Sequence, residues 1–129
     1  MADTEQNLTI SEVAERTGLS AHTLRYYERI GLMSPIAKGL RGHRRYDEDD
    51  LDWIILIQRL RSTDMSVKEM QHFADLVRQG DATIRERRKL LEKHQATLQA
   101  RLEDIAQTLE LLDHKVTTYR SMEKDEEER

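Results

Sequence analysis

Three adjacent residues in the stretch LSAHTLRYYERIGL, residues 19–32, have side chains that could read or hold nucleic acid: Arg25, Tyr26 and Tyr27. An arginine guanidinium can fork onto guanine or onto a phosphate, and Tyr26 has the reach for phosphate or base contacts. Tyr27 is one residue out of phase with Tyr26 on a helix, so we expect it to pack inward with its hydroxyl anchored. The triplet therefore predicts a nucleic-acid contact on one face of a short helix.

The charge around this triplet is positive although the chain as a whole is acidic. The 129 residues carry a net charge of −4, and the pI is about 5.7. Residues 16–45 hold seven arginines and lysines against one glutamate, a local net charge of +6. The balancing acids cluster at 47–50 and 126–128, and screening over about 8–10 Å keeps them from cancelling the basic patch. Local charge, rather than the pI, favours a nucleic-acid partner.

Two short capped helices are predicted to position the triplet. Thr9 and Glu12 form the pattern of a capping box at the start of the first helix, which we expect to end at Gly18. Ser20 caps the second helix, and Gly31 supplies its left-handed stop. Two helices joined by a short glycine-containing turn predict a helix-turn-helix, whose second helix enters the major groove.

A basic hairpin is predicted to follow the second helix. Residues 34–36 and 44–46 have the pattern of short extended pieces around Gly39 and Gly42, which permit a tight reversal. Such a wing could lie along the adjacent DNA backbone or minor groove. The predicted DNA contacts from the second helix and the wing are Ser20, His22, Thr23, Arg25, Tyr26, Arg41, Arg44 and Arg45.

Two further helices should complete the DNA-binding domain, which we place at residues 8–80. The first helix begins at Asp47 and has a nearly all-round apolar surface between Leu51 and Leu60, which predicts a central core helix. The second begins with a capping box at Ser66 and Glu69. Its predicted inward-facing residues are Val67, Met70, Phe73, Ala74 and Val77.

The apolar pattern changes from residue 81 onward to alternating spacings of three and four, which indicates a coiled coil. The predicted dimerisation seam consists of Leu91, Leu98, Leu102, Ile105, Leu109, Leu112, Val116 and Tyr119. No second long helix exists in the sequence to cover this seam, so the simplest partner is another copy of the chain. We place this helix at residues 81–121 and expect the acidic tail, residues 122–129, to fray.

Composition excludes several classes of function. The chain has no cysteine, which removes disulfides, thiolate metal sites and thiol redox sensing. No run is apolar or long enough to span a bilayer, and the N-terminus does not have the pattern of a signal peptide, so we expect a cytoplasmic protein without a membrane partner. The sequence holds no glycine-rich phosphate loop and no nucleophile elbow. We therefore predict no catalytic residues, no metal, no cofactor and no enzyme activity.

Two other binding functions remain open on the residues alone. An excisionase-like architectural protein also bends DNA with a winged helix and answers to no effector, although the long dimerisation helix argues against it. A coiled-coil adaptor would bind proteins and would not need the basic face. Salt-dependent operator affinity separates a DNA reader from an adaptor, because each phosphate contact releases counterions.

The sequence resembles the MerR family of bacterial transcription regulators over residues 8 to about 120. The resemblance rests on LTISEVAERTGLSAHTLRYYERIGLMSP, on GHRRYDEDDLDWIILIQRLRSTDMSVKEM, and on the long heptad helix that follows. It implies a mainly α fold, in which a winged helix-turn-helix domain precedes a long antiparallel coiled-coil dimerisation helix. It also implies a sequence-specific regulator that binds a palindromic promoter operator as a homodimer and distorts the DNA so that RNA polymerase can use the promoter. On matching positions it implicates Thr23, Arg25, Tyr26 and Arg44 in DNA binding.

Within that family the chain is most similar to the short aldehyde- and electrophile-responsive branch, in RYDEDDLDWI and RQGDATIRERRKLLEKHQ. Thiol-sensing members of the branch have a cysteine at the position of Arg59. Because this chain has no cysteine, mercury, copper(I), thiolate zinc and thiol oxidation are unsupported as signals. The sequence leaves open whether a small-molecule effector exists, which operator is bound, and whether the bound protein activates or represses.

Overall fold

Helices account for most of the chain that the structure describes. The computed structural model describes residues 8–33 and 45–129, and the helices are α1 (Ile10–Thr17), α2 (Ala21–Arg29), α3 (Glu48–Ser62), α4 (Val67–Arg78) and α5 (Ile84–Glu127). The chain divides into two compact units, the first ending at Arg88 and the second beginning at Lys89. A helix-turn-helix and a long C-terminal helix confirm the predicted mainly α fold. The predicted hairpin, with Arg41 and Arg44, lies outside the described residues except for Arg45 and Tyr46.

The caps of the first two helices form as predicted. Thr9 Oγ1 accepts from the Glu12 N–H at 3.1 Å, while the Glu12 carboxylate accepts from the Thr9 N–H at 3.0 Å. The Thr9 N–H, and to a smaller extent the Thr9 hydroxyl, stabilise the charged Glu12 carboxylate and hold the pKa of Glu12 below its ordinary value. Gly18 ends α1 with φ +75°, and Gly31 follows α2 with φ +82°. Both glycines therefore occupy the left-handed region, where a side chain would be strained.

Helix α3 crosses the middle of the first unit and buries one side. Asp47 and Asp50 cap its start, each accepting from the other's backbone N–H at 2.8 and 3.0 Å. Its buried residues are Leu51, Ile54, Ile57 and Leu60. Ile55, however, is 40% exposed, so the predicted all-round apolar surface is wrong. Helices α1 and α4 both pack on α3, but they leave Ile55 partly open to water.

Helix α4 buries Met70, Phe73, Ala74 and Leu76. Ser66 Oγ accepts from the Glu69 N–H at 3.1 Å, as an N-cap should. The prediction that Val67 faces inward is wrong, because its side chain is 42% exposed. Val67 is the first residue of the helix. Its spacing to Met70 fits the apolar pattern, but its side chain stays open to water at the start of the helix.

A short 3-10 turn, Asp81–Thr83, joins α4 to α5. Gly80 precedes it with φ +87°. The buried Thr83 hydroxyl contacts the carbonyl oxygens of Leu76 and Gly80, and Arg87 Nε donates to Thr83 Oγ1 at 3.0 Å. The first turn of α5 is therefore bonded to the last turn of α4.

Helix α5 is continuous over 44 residues, about 66 Å at 1.5 Å per residue. It contains no buried residue. The predicted fraying after Met122 is wrong, since the helix continues to Glu127. Glutamate and lysine dominate the C-terminal end of α5. Both have a high intrinsic helix propensity, so the helix can continue there without apolar contacts.

Candidate nucleic-acid interface

Helix α2 presents the predicted triplet on two different sides. Leu24 and Tyr27 are buried, whereas Arg25 is exposed and Tyr26 is half-buried. His22 is exposed as well. The inward packing of Tyr27 is therefore as predicted, and it leaves Arg25 and His22 free of the core.

The hydroxyl of Tyr27 is anchored by an arginine from the core helix. Arg61 Nη1 donates to Tyr27 Oη at 3.3 Å, and the Arg61 guanidinium lies 5.8 Å from the centre of the Tyr27 ring. The hydrogen bond that Arg61 donates to Tyr27 raises the pKa of Arg61 above its ordinary value. A guanidinium has five N–H donors, so this contact holds Arg61 beside α2 and leaves donors for a phosphate.

Tyr26 extends this contact into a continuous row. Its ring lies 6.5 Å from that of Tyr27 at an angle of 49°, and the Arg29 guanidinium lies 5.6 Å from the Tyr26 ring centre. We call Arg29, Tyr26, Tyr27 and Arg61 the Arg–Tyr row. It places a cation at each end of two aromatic rings, an arrangement suited to a polyanion.

The DNA contacts predicted from the sequence include neither Arg29 nor Arg61. Arg29 lies three residues after Tyr26, so helical spacing alone could have identified their contact. Arg61 is 34 positions from Tyr27, and no local pattern connects the two residues.

Three further predicted DNA contacts of the first unit, Ser20, Thr23 and Arg45, lie outside the Arg–Tyr row. Ser20 Oγ accepts from the Thr23 N–H at 3.0 Å and lies 3.0 Å from Thr23 Oγ1, so both hydroxyls belong to the helix cap. Arg45 is exposed. Its neighbour Tyr46 is buried and pairs with Leu8 through two backbone hydrogen bonds of 2.6 and 2.8 Å.

Arg59 lies on an open surface of α3. Arg59 is exposed and lines a groove of about 350 Å³ with Arg16, Ile55 and Gln58. Gln58 Nε2 donates to the Thr17 carbonyl at 3.0 Å, which ties α3 to the end of α1.

The predicted dimerisation residues share one helix in the second unit. Leu91 and Leu98 are half-buried. The later members of the seam are 44–60% exposed: Leu102, Ile105, Leu109, Leu112, Val116 and Tyr119. A stripe of this length leaves a large apolar surface in water unless another surface covers it.

The described residues contain neither a membrane-spanning helix nor a metal-binding cluster. None of their helices is long and apolar enough to cross a membrane. Within residues 8–33 and 45–129, no three histidine, aspartate or glutamate side chains are grouped to hold a metal ion.

Two family descriptions match the chain. Residues 8–76 match the MerR HTH family regulatory protein, and residues 51–115 match a second description, MerR, DNA binding. Together the two matches cover both the capped helix pair and most of α5.

Curated relatives carry the same kind of description. A helix-turn-helix transcriptional regulator of Haemophilus influenzae is 36% identical over 111 residues, which cover 86% of this chain and 82% of the relative. The helix-turn-helix transcriptional regulator AdhR of Bacillus subtilis is 39% identical over 84 residues, which cover 65% of this chain and 60% of AdhR.

Solved structures match the fold. HiNmlR, a MerR family regulator that lacks the sensor domain and was crystallised bound to promoter DNA, is 35% identical with a TM-score of 0.80, covering 89% of this chain and 91% of that chain. A MerR family transcriptional regulator from Listeria monocytogenes is 37% identical with a TM-score of 0.80, covering 87% and 85%.

Proposed function

Because the chain belongs to the MerR family of DNA-binding transcription regulators, we propose that it binds a palindromic promoter operator as a homodimer and distorts the DNA between the two half-sites. The distortion would bring the promoter elements into a geometry that RNA polymerase can use. HiNmlR supports a promoter as the target, since that relative was crystallised on promoter DNA. The protein would act in the cytoplasm, where the promoter is, and would have no catalytic role.

The observation that carries the DNA proposal is the exposed side of α2. Arg25 and His22 project away from the core, and the Arg–Tyr row adds two more cations, Arg29 on the Tyr26 ring and Arg61 on the Tyr27 ring. We assign base and phosphate contacts to Ser20, His22, Thr23, Arg25 and Tyr26, and backbone contacts to Arg41, Arg44 and Arg45. Arg29 and Arg61 join this set as phosphate contacts, because each already rests on an aromatic ring and loses little freedom on binding.

The charge along α5 supports an antiparallel dimer. Residues 84–101 have a net charge of +4, and residues 103–127 have a net charge of −5. In a parallel pair like charges would meet at both ends, whereas in an antiparallel pair each basic half faces an acidic half. The predicted seam from Leu91 to Tyr119 has its midpoint at Ile105, so the same residue of each copy would lie near the centre of the pair.

Footprinting on the chain's own upstream region tests the DNA proposal. The expected pattern is two protected half-sites around a centre that is hypersensitive to a reagent that reports distortion. Protection without a hypersensitive centre would refute the distortion and leave binding by occupancy. The absence of protection at any palindrome would refute the operator.

Arg25→Ala should weaken specific operator affinity by about 1–3 kcal/mol, because it removes the contact best placed for a guanine or a phosphate. Titration of labelled operator at fixed salt measures the loss. Arg120→Ala is the matched control, since it removes the same charge from α5 in the second unit and should leave affinity unchanged. Equal effects of the two variants would show that only net charge matters and would contradict the assignment of α2.

Spin labels at Ser121→Cys test the orientation of the dimer. The chain has no other cysteine, so each copy carries a single label. An antiparallel pair centred near Ile105 separates the two labels by on the order of 50 Å, at 1.5 Å per residue. A parallel pair holds them within about 20 Å, and a short distance in a pulsed dipolar measurement would refute the antiparallel arrangement.

A further inference from the structure

A cavity of about 220 Å³ lies in the first unit between the turn after α2, the start of α3 and the end of α4. At about 30 Å³ per water, this is room for roughly seven waters or for one small organic group. The walls that matter here are Leu32, Met33, Trp53 and Val77, with Asp49 and Asp50 among the same lining residues.

The apolar wall is rigid. Trp53 Nε1 donates to the Leu32 carbonyl at 2.7 Å, so the single polar atom of the indole is already used. The Trp53 ring stacks on Phe73 with centroids 5.5 Å apart and planes 9° from parallel. Leu32 and Met33 are buried, and Trp53 is half-buried. A ligand would therefore meet a preformed apolar surface and pay little for ordering it.

The charge of the cavity is negative once its arginine is accounted for. Arg78 also lines the cavity, but its Nη1 pairs with Asp75 Oδ1 at 2.5 Å and its Nη2 donates to the Gly31 carbonyl. Arg78 is thus offset by Asp75, which leaves the charges of Asp49 and Asp50.

Asp50 is the more enclosed of these two carboxylates. It accepts one hydrogen bond from the Asp47 N–H at 3.0 Å. Even so, burial raises the pKa of Asp50 above its ordinary value. A carboxylate that has lost water in this way gains from a cation placed beside it.

We propose that this cavity binds a small organic cation. The ammonium group would be held by Asp49 and Asp50, and its apolar part would lie against Trp53 and Met33. A tryptophan ring is also the aromatic surface that attracts a cation best. Leu32 and Met33 directly follow the turn after α2, so a regulatory meaning of the site rests on the proposed DNA function, whereas binding itself does not.

Trp53 is the only tryptophan of the chain, so its fluorescence reports the cavity directly. The full-length protein is titrated with benzylammonium, and with benzyl alcohol and benzoate as neutral and anionic compounds of the same ring. We expect a saturable change with benzylammonium, at least about tenfold weaker binding of benzyl alcohol, and no saturable change with benzoate. Equal affinities for the amine and the alcohol, or no saturable change with the amine, would overturn the proposal.

Matched variants locate the charge. Asp49→Asn should weaken benzylammonium binding about tenfold, and Asp50→Asn should do the same while its amide oxygen still accepts from the Asp47 N–H. Asp52→Asn removes the same charge from an exposed position of α3 outside the cavity and should change nothing. Wild-type affinity in both cavity variants would overturn the assignment of the cation to this site.

Operator binding is measured on the same samples without the amine. Operator binding with no fluorescence response refutes the cavity and leaves the proposed function standing. A saturable response without operator binding refutes the proposed function and leaves the cavity standing.

Discussion

The two units of the chain use their apolar residues in opposite ways. In the first unit, Leu24, Tyr27, Ile54 and Ile57 are at most 1% exposed. In the second unit, every seam residue from Leu102 to Tyr119 is at least 44% exposed. The first unit closes a core of its own, whereas the second has apolar residues at the right spacing and no core. Apolar residues at helical spacing therefore close a core in the first unit, whereas in the second unit they form an exposed stripe.

The largest expected effect comes from a charge placed in this exposed stripe, the predicted dimerisation seam. Leu109→Glu places an unpaired carboxylate in the middle of the seam, which costs several kcal/mol when the seam is buried. We expect sedimentation to show a monomer at concentrations where the unaltered chain is dimeric. The midpoint of the unfolding transition followed by Trp53 fluorescence should be unchanged, since Trp53 belongs to the first unit.

Leu111→Glu is the matched control for this variant. Leu111 and Leu109 are 64% and 60% exposed, but Leu111 lies off the seam. The Leu111→Glu variant should therefore remain dimeric. If both variants dissociate, or neither does, the seam is assigned to the wrong side of α5.

A smaller effect is expected from a strained residue in the first unit. Asp64 lies in the turn between α3 and α4 and has φ +69°. Among the residues that the structure describes, it is the only one other than glycine with a positive φ. Asp64→Gly should stabilise the first unit by about 0.5–1 kcal/mol, because glycine adopts this conformation without steric cost. Denaturant unfolding followed by Trp53 fluorescence measures the gain.

Asp64→Asn tests whether the side chain matters as well as the backbone. Asparagine tolerates the left-handed region and keeps a polar oxygen, so its effect should fall between those of aspartate and glycine. A loss of stability in Asp64→Gly alone would show that contacts of the Asp64 side chain outweigh the strain.

The smallest expected effect is the pH dependence that Asp50 gives to the first unit. Because its pKa is raised in the folded protein, the carboxyl binds a proton more tightly when folded than when unfolded. Its favourable contribution is present below the unfolded pKa, about pH 4, and is lost as the pH rises through the folded pKa. Asp50→Asn removes the cost of burying the charged carboxylate. The variant should therefore be more stable than the unaltered chain at pH 7, by no more than about 0.5 kcal/mol.

The gain from Asp50→Asn should shrink toward zero as the pH falls below about 4. Unfolding curves of the variant and the unaltered chain at several pH values measure the difference. Asp52→Asn, with the same charge change on the exposed side of α3, controls for net charge. A gain that is constant with pH would contradict the raised pKa as its cause.

The sequence predicted those features that depend on nearby residues. The capping box of Thr9 and Glu12, the left-handed Gly18 and Gly31, and the inward Tyr27 each follow from residues within a few positions of one another. The DNA contacts assigned to α2 and to the wing, and the pairing of two copies through α5, stay predictions.

The features that the sequence did not predict depend on packing between distant residues. Ile55 and Val67 fit a helical apolar pattern, but their exposure depends on how far the neighbouring helices reach. Arg61 meets Tyr27 across 34 positions, and Trp53 meets Leu32 across 21. Periodicity gives the buried side of a helix and says little about which partner covers it or where that cover ends.

The pairing of Leu8 with Tyr46 makes a closed loop of the whole helix-turn-helix. Two backbone hydrogen bonds join the residue just before the cap of α1 to the residue just before the cap of α3. The two residues at the ends of the segment that contains α1 and α2 are therefore held together by backbone hydrogen bonds, in addition to the side-chain contacts that α3 and α4 make with this segment. Leu8 therefore helps to position α2, the helix that we propose to read DNA, although Leu8 itself is not among the proposed DNA contacts. Deleting Leu8 would remove both backbone hydrogen bonds to Tyr46. We therefore expect the deletion to weaken DNA binding although it changes no residue assigned to contact DNA.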